Sequence, residues 1–294
     1  MLYYAKVMKY NPVIKTNRWL SEIVSPPQKK GRPVMKKIFA LVLTLIVILS
    51  VFAGCGQQNT SDLAYVQEKG KLVVGVTIYE PMDYQDENGN WTGFDAEFAQ
   101  MVAEDLGVEA EFVIIADWKK KFVELQMKEI DVVWNGMTIT DEAKANASVS
   151  DPYVINAQVV VTKADVAANF ATTDSLKDIS IAVENGSAAA QALDAIGITD
   201  YLVTDDQAKA LTEVLSGTSD ACVIDITMAR AMIKEGSDFA SLAIAQELTS
   251  EYYGIAFRKD SDITAKVNEL MAGYMADGTL AALAQKYNVA LVED

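Results

Sequence analysis

The sequence has no histidine and only two cysteines among its 294 residues, which sets several kinds of site aside. Histidine is the commonest metal ligand and the commonest general base near neutral pH, so we expect no metal centre, no histidine-based catalysis and no cofactor. Cys55 ends an apolar segment, which leaves Cys222 as the only cysteine of the later chain. Cys222 lies in the apolar run 221–226, so we expect a buried, unreactive thiol and no internal disulfide.

Positive charge is scarce after the first 54 residues. The whole chain has 25 lysines and arginines against 41 aspartates and glutamates, a formal charge of −16. Residues 1–54 carry a net charge of +8, and subtracting it leaves −24 for residues 55–294. So acidic a surface repels nucleic acid, which excludes nucleic acid as a partner of the folded part. The hydrophobic share of 51% and the length suffice for two domains.

An apolar run before Cys55 has the order of a secretory signal. Residues 35–54 begin with Met35 and two lysines, continue through an apolar stretch and end in Ala53-Gly54. This order resembles bacterial lipoprotein signals, which implies a lipid on Cys55, a tether over 55–61 and anchoring to the extracytoplasmic membrane face. An uncleaved transmembrane helix is the alternative. Since signal peptides start with their basic segment, we interpret residues 1–34 as a non-native extension.

The stretch 131–153 has the pattern of a strand that becomes a binding loop. An apolar, β-branched run ends at Trp134, and two strand breakers, Asn135 and Gly136, follow it. Thr138 and Thr140 then place hydroxyl groups just before a predicted helix start. In open α/β sheets ligands bind outside the carboxyl ends of the strands, near helix N-termini, so this stretch predicts a ligand site. The alternative is an ordinary strand, loop and capped helix.

Strands and helices alternate along the rest of the chain, which predicts an α/β fold with mostly parallel sheets flanked by helices. The predicted strands are 72–76, 111–115, 158–162, 179–183, 201–203, 221–224 and 253–257. The main predicted helices are 95–106, 188–196, 207–215, 227–234, 263–275 and 279–287. Ser187 follows a glycine turn and caps one of these helices, an arrangement suited to an anion.

Eight segments in this order resemble the extracellular solute-binding proteins, family 3, of amino-acid ABC importers. They are LVVGV, EPMDYQDENGNWTGFDAEFAQMVAEDLG, IDVVWNGMTIT, SDPY, VENGSAAAQAL, DACVID, YGIAFRK and VNELMAGYMADGTLAALAQKY. The resemblance runs from about Leu63 to Tyr287. It implies a two-lobed, periplasmic-binding-protein-like fold of type II whose double-crossing hinge lies at 158–162 and 251–254. Lobe one is then 62–157 with 255–294, and lobe two is 158–254. A monomer that delivers its ligand to an ABC permease and ATPase is expected.

The resemblance also places ligand contacts in the cleft between the lobes. They are Tyr79, Tyr84, Trp118, Trp134, Asn135, Thr138, Thr140, Glu184, Ser187, Ala188 and Asp225. Aromatic rings can enclose an apolar or cationic side chain, hydroxyls and helix N–H groups can hold a carboxylate, and Asp225 can pair with an α-ammonium. Alternatively, Ser187 and Asp225 are ordinary helix caps, and the tyrosines are packing residues.

One position departs from the family pattern. Relatives have an arginine three residues after the second threonine, where it clamps the ligand carboxylate, but this chain has Ala143. The neighbouring Lys144 lies on another face of the helix and offers a point charge instead of a fork. We therefore expect a neutral or amine-rich ligand instead of an acidic amino acid.

Two other functions stay open at this stage. Enzymes resembling prephenate or arogenate dehydratase share the fold, and such chemistry here would need a carboxylic acid such as Glu184 with a raised pKa. A ligand-sensing subunit of a separate receptor is the second alternative. A lipid-anchored binding protein without enzymatic activity is the prediction that the residues favour.

Overall fold

The computed structural model describes residues 61–293, and Asn59–Asp294 form one compact unit. The predictions about residues 1–34, the signal segment, the lipidation of Cys55 and most of the tether lie outside the described residues. Within 61–293 no helix is long and apolar enough to cross a bilayer, and no cluster of acidic or cysteine side chains could hold a metal ion.

The first lobe is built on a five-stranded sheet. In order across the sheet its strands are Glu109–Ile114, Lys71–Val76, Val132–Val133, Ala256–Phe257 and Ser148–Val149. The first three are parallel, and the last two are joined by antiparallel pairs. Lys71–Val76 is paired on both sides, and its β-branched residues are buried on both faces of the sheet. The chain order reverses between Lys71–Val76 and Val132–Val133, which makes their carboxyl ends a topological switch point.

The second lobe repeats this plan. Across its sheet the strands are Leu202–Thr204, Ile181–Glu184, Ala221–Asp225, Gln158–Lys163 and Leu242–Glu247. The first three are parallel and the other two are antiparallel to their neighbours. The switch point here lies between Ile181–Glu184 and Ala221–Asp225, so the side chains that end these strands meet at one edge. The strand Leu242–Glu247 was not predicted from the sequence.

A two-stranded antiparallel ribbon, Val154–Asn156 with Glu251–Tyr253, lies outside both sheets. It is the double crossing that the resemblance implied, but its first strand comes earlier in the chain than predicted. The run 158–162 is instead a buried strand inside the second sheet, paired on both sides. The prediction that this run crosses between lobes is therefore wrong, because five residues buried on both faces belong to a sheet interior.

Helices cover both sheets and close the core. They are Asp62–Lys69, Phe94–Asp105, Lys121–Gln126, Asp141–Asn146, Ala188–Ala195, Gln207–Ser216, Ile226–Met232, Ile263–Ala276 and Thr279–Tyr287, with 3-10 turns at Trp118–Lys120, Ala167–Phe170 and Thr173–Leu176. A short hairpin pairs Tyr84–Gln85 with Trp91–Thr92. Cys222 is fully buried in the second sheet, as expected, and burial raises the pKa of its thiol far above its usual range.

Candidate functional site

A pocket lies where the two switch points face each other. Its lining comes from the strand ends, loops and helix starts of both sheets. The lining residues are Thr77, Tyr79, Trp118, Lys121, Asn135, Gly136, Met137, Thr138, Thr140, Ala143, Glu184, Gly186, Ser187, Ala188, Gln191, Gln207 and Asp225. Nine of the eleven predicted ligand-binding residues are therefore brought together, although their contact with a ligand remains a prediction.

Tyr84 and Trp134 are the two predicted residues that the structure places elsewhere. Trp134 is fully buried, and its ring packs edge-on against Phe98 at a centroid distance of 4.8 Å. It points into the core because it follows directly on the buried strand Val132–Val133. Tyr84 belongs to the hairpin and lines a separate groove with Arg230. Neither residue lines the pocket, so the prediction that Tyr84 and Trp134 contact a ligand there is corrected.

Asp225 lies at the pocket's lobe-two wall inside a network of amide donors. Its carboxylate accepts hydrogen bonds from the side-chain amides of Asn156, Gln158 and Gln207. Glu251, on the crossing ribbon, accepts from the same Asn156 and Gln158, at 2.8 and 2.6 Å. Burial, and then repulsion from Glu251, raise the pKa of Asp225 to about 7. The arrangement can therefore receive a cation, which would neutralise two carboxylates held close together.

Glu184 ends the neighbouring strand and is the second carboxylate of the pocket lining. Only 4% of its surface is exposed, and no hydrogen bond among residues 61–293 acts on its carboxylate, which is influenced by the more distant charge of Lys121. Burial, and then repulsion from Asp225, raise the pKa of Glu184 to about 8. Because this carboxylate faces the pocket without a hydrogen-bond partner, the geometry favours a ligand that supplies a donor or a positive charge.

Lys121 is the pocket residue that sequence reasoning missed. It lies one helical turn after Trp118, and its ammonium sits 4.9 Å from the Trp118 ring centroid. It donates to the main-chain oxygens of Trp118 and Gly186, both at 3.3 Å. Burial lowers its pKa to about 8. The i to i+3 spacing from a predicted site residue was the signal that could have identified it, whereas Lys144 is exposed and outside the lining.

The predicted hydroxyl groups already make hydrogen bonds within the protein. Thr140 Oγ1 accepts from the main-chain N–H of Ala143, and Ser187 Oγ accepts from that of Ala190, so both residues cap helices. Thr138 donates to Glu251 at 2.8 Å. In the two caps the hydroxyl hydrogen is still available, because the oxygen acts only as an acceptor in those bonds.

Tyr79 and Asn135 form the buried floor of the pocket. The Tyr79 hydroxyl bonds that of Tyr253 on the crossing ribbon. Asn135 is held on both sides of its amide, because its oxygen accepts from Thr77 and its nitrogen donates to Asp83 at 2.8 Å. Their polar groups position the loop after Val132–Val133 and are largely satisfied without a ligand.

Residues 72–290 match the family described as bacterial extracellular solute-binding proteins, family 3. The chain belongs to this family. It is 33% identical over 261 residues to the L-cystine-binding protein TcyJ of Escherichia coli (strain K12), which covers 87% of this chain and 95% of TcyJ. It is 30% identical to the arginine-binding extracellular protein ArtP of Bacillus subtilis (strain 168), over 86% of this chain and 98% of ArtP.

The similarity extends to solved structures. An ancestral arginine-binding protein bound to arginine superposes with a TM-score of 0.69 at 33% identity, covering 74% of this chain and 98% of that one. These findings confirm the predicted family and the two-lobed α/β fold. They also place the chain among the amino-acid-binding, extracytoplasmic solute-binding proteins of ABC transporters.

The two walls of this solute-binding protein's cleft touch at its rim. Asn185 donates to Asp117 at 3.1 Å, and Gln191 donates to Glu142 at 2.9 Å. Gly186 comes closest, since a Cβ atom added there would lie 2.8 Å from Lys119 Cβ and 2.9 Å from its Cα. Gly186 also has a φ of +68°, in the region that favours glycine. The close approach requires glycine at this position when the cleft is closed as seen here. The positive φ favours glycine independently of closure.

Replacing Gly186 with alanine is expected to weaken ligand binding about tenfold or more, because the new methyl group keeps the walls apart. Gly197→Ala is a matched control, since Gly197 has a φ of +82° and nothing within 4 Å of an added Cβ. Both variants should lose about 1 kcal/mol of folding stability from the left-handed backbone. Titration calorimetry should show reduced affinity for Gly186→Ala alone. Equal affinities for the two variants would contradict a closure contact at Gly186.

Proposed function

We propose that this protein captures an amino acid with a basic side chain between its two lobes and delivers it to an ABC importer. In this proposal Asp225 binds the ligand's α-ammonium and Glu184 binds its distal cation. Trp118 and Tyr79 enclose the aliphatic part of the ligand. The ligand-binding role is shared with the family. The preference for a ligand with a basic side chain is what this proposal adds.

The unpaired Glu184 carboxylate is the observation that carries the proposal. Two carboxylates, Glu184 and Asp225, face a pocket with a single ammonium, that of Lys121, so the ionised lining has one negative charge in excess. A basic amino acid at neutral pH has two positive groups and one carboxylate, which complements this set. Glutamate or aspartate would bring a second carboxylate into a pocket that already has an excess of them.

The relatives support the same ligand class. ArtP is named as an arginine-binding protein, and the ancestral protein with the same fold is bound to arginine. TcyJ, named for L-cystine, makes cystine the second candidate ligand. Cystine also has two ammonium groups, one of which could reach Glu184, but its second carboxylate would need a cation beyond Lys121.

Substituting Glu184 with glutamine is expected to weaken arginine binding about 10- to 100-fold, because a buried charge-assisted contact is lost. Citrulline has nearly the shape of arginine but no side-chain charge, so its affinity should change less than about threefold. Titration calorimetry with both ligands measures the difference, and Glu247→Gln, on an exposed edge of the second sheet, is the control. An equal loss for both ligands would show that Glu184 does not bind a cation.

An enzyme on the same fold is the competing function. The raised pKa of Glu184 would suit a general acid, and the pKa values of Asp225 and Lys121 in the same lining are shifted as well. The relatives TcyJ and ArtP are nevertheless named as binding proteins. Binding without turnover is therefore proposed. Mass spectrometry of arginine recovered after long incubation with the protein should return it unchanged.

The membrane attachment and the lobe boundaries are parts of the same proposal. Cys55, which precedes the described residues, is proposed to be lipidated and to hold the protein at the extracytoplasmic membrane face. Lobe one is proposed to be 62–157 with 255–294, and lobe two 158–254. The permease and ATPase are the proposed partners that respond to closure.

A further inference from the structure

Lys121 makes no salt bridge with any carboxylate among the residues that the structure describes. Its side chain is almost fully buried, and the carboxylates of Glu142, Glu184 and Asp117 act on its ammonium only from beyond 4 Å. Its two hydrogen bonds go to main-chain oxygens, and both are long at 3.3 Å. The rings of Trp118 and Phe122, each 4.9 Å away, support the ammonium without neutralising it. A buried ammonium of this kind retains donor capacity for an anion.

Lys121 lies next to a helix start at which an anion could bind. One of its acceptors is the carbonyl of Gly186, the residue just before Ser187. The eight-residue helix Ala188–Ala195 begins there, with its N-terminal N–H groups towards the pocket lining. Lys121 belongs to a different helix, Lys121–Gln126 of the opposite wall. An anion at this point would therefore be contacted from both walls of the cleft.

Lys121 is also the only cation in the described pocket lining. An amino acid brings one carboxylate with it, and the lining carboxylates Glu184 and Asp225 would repel that group. No arginine reaches the pocket, and Ala143 contributes only a methyl group there. The position between the Lys121 ammonium and the start of Ala188–Ala195 is therefore the one in the described lining where the ligand carboxylate meets a positive charge.

We infer that Lys121 binds the α-carboxylate of the ligand and makes the site specific for amino acids with a free carboxylate. This inference rests on the proposed function and adds a specificity residue to it. The ammonium moves from weak main-chain acceptors to a carboxylate oxygen, a stronger charge-assisted bond. Since Lys121 and Ala188–Ala195 belong to opposite walls, the carboxylate would also link the walls in the closed form.

L-arginine and L-argininamide provide the test, because the amide lacks the carboxylate but keeps both positive groups. Titration calorimetry on the full-length protein in detergent should show that Lys121→Met binds arginine about 10- to 100-fold more weakly. Argininamide binding should change less than about threefold. Lys121→Arg, which keeps the charge, should recover most of the arginine affinity. Lys177→Met is the matched control, because Lys177 is exposed and pairs with Asp174 outside the pocket lining.

The outcomes separate this inference from the proposed function. If the unmodified protein binds arginine but Lys121→Met weakens arginine and argininamide equally, Lys121 is only a packing residue and the inference fails alone. If Lys121→Met leaves the arginine affinity unchanged, the inference also fails while the proposed function stands. If the unmodified protein binds neither compound, the proposed function fails and the inference falls with it.

Discussion

Replacing Asp225 with asparagine is expected to weaken amino-acid binding about 100-fold or more. Asp225 is the buried carboxylate that would meet the ligand ammonium, and truncating one member of a buried, hydrogen-bonded charge pair has effects of this size. Asparagine has nearly the same shape but no charge. Its amide nitrogen would also face the donors of Asn156, Gln158 and Gln207, which now converge on the carboxylate.

Titration calorimetry with arginine measures this loss, and thermal unfolding without ligand shows whether the variant is folded. Asp205→Asn is the matched control, because Asp205 is 76% exposed and pairs only with Lys209. A folded Asp225→Asn protein that binds within threefold of the unmodified protein would rule out Asp225 as the ammonium site.

Arginine affinity is expected to fall at least tenfold as the pH is lowered from 8 to 6. In the free protein the pKa is about 7 for Asp225 and about 8 for Glu184, both raised chiefly by burial. A cationic ligand binds the ionised forms, so acidification protonates the two groups and competes with the ligand. Binding near pH 7 should accordingly release protons. The range stops at pH 8 because the pKa of Lys121 is about 8, so that half of its ammonium groups have lost their proton there.

Calorimetry in two buffers of different ionisation enthalpy measures both the affinity and the released protons. The Glu184→Gln variant should show a shallower pH dependence, since Asp225 is then the only carboxylate of the lining whose pKa is raised into this range. Affinity that is constant, or that rises on acidification, would contradict a site made of raised-pKa carboxylates.

Much of the fold could be predicted because its elements have strong local patterns. The central strand Lys71–Val76 is a continuous β-branched run, and Ala188–Ala195 begins at a serine cap after a glycine turn. The strand Leu242–Glu247 was missed because it lies at a sheet edge with alternating partial burial and contains two alanines. The run 158–162 was misread because an apolar strand by itself does not reveal whether it crosses between sheets or pairs on both sides.

Polar residues that end a strand could be placed at the pocket from the sequence. Glu184 and Asp225 end neighbouring parallel strands, which pair at Val183 and Val223, so the topology brings their carboxylates to one edge. Trp134 also follows a strand directly, but its side chain enters the core. Alternation cannot resolve the direction of a side chain where both faces of the sheet are buried.

Residues that act through tertiary contacts could not be predicted. Glu251 and Tyr253 come from the far end of the chain and meet the pocket residues Thr138 and Tyr79 only because the crossing ribbon passes beneath the pocket. Gln207 reaches Asp225 from the start of another helix. The sequence around Gln207 has no motif that marks a site, and 251–254 was predicted only as a crossing between the lobes.

A calorimetric comparison of arginine, lysine, cystine, glutamine and glutamate on one preparation of the unmodified protein tests the central claim most directly. A ligand at 100 times its dissociation constant also stabilises the fold by about 2.7 kcal/mol, so thermal shifts provide a parallel readout. A pocket with an unpaired Glu184, an Asp225 and a single Lys121 predicts the tightest binding for arginine or lysine and none for glutamate. Glutamate binding as tightly as arginine would contradict it.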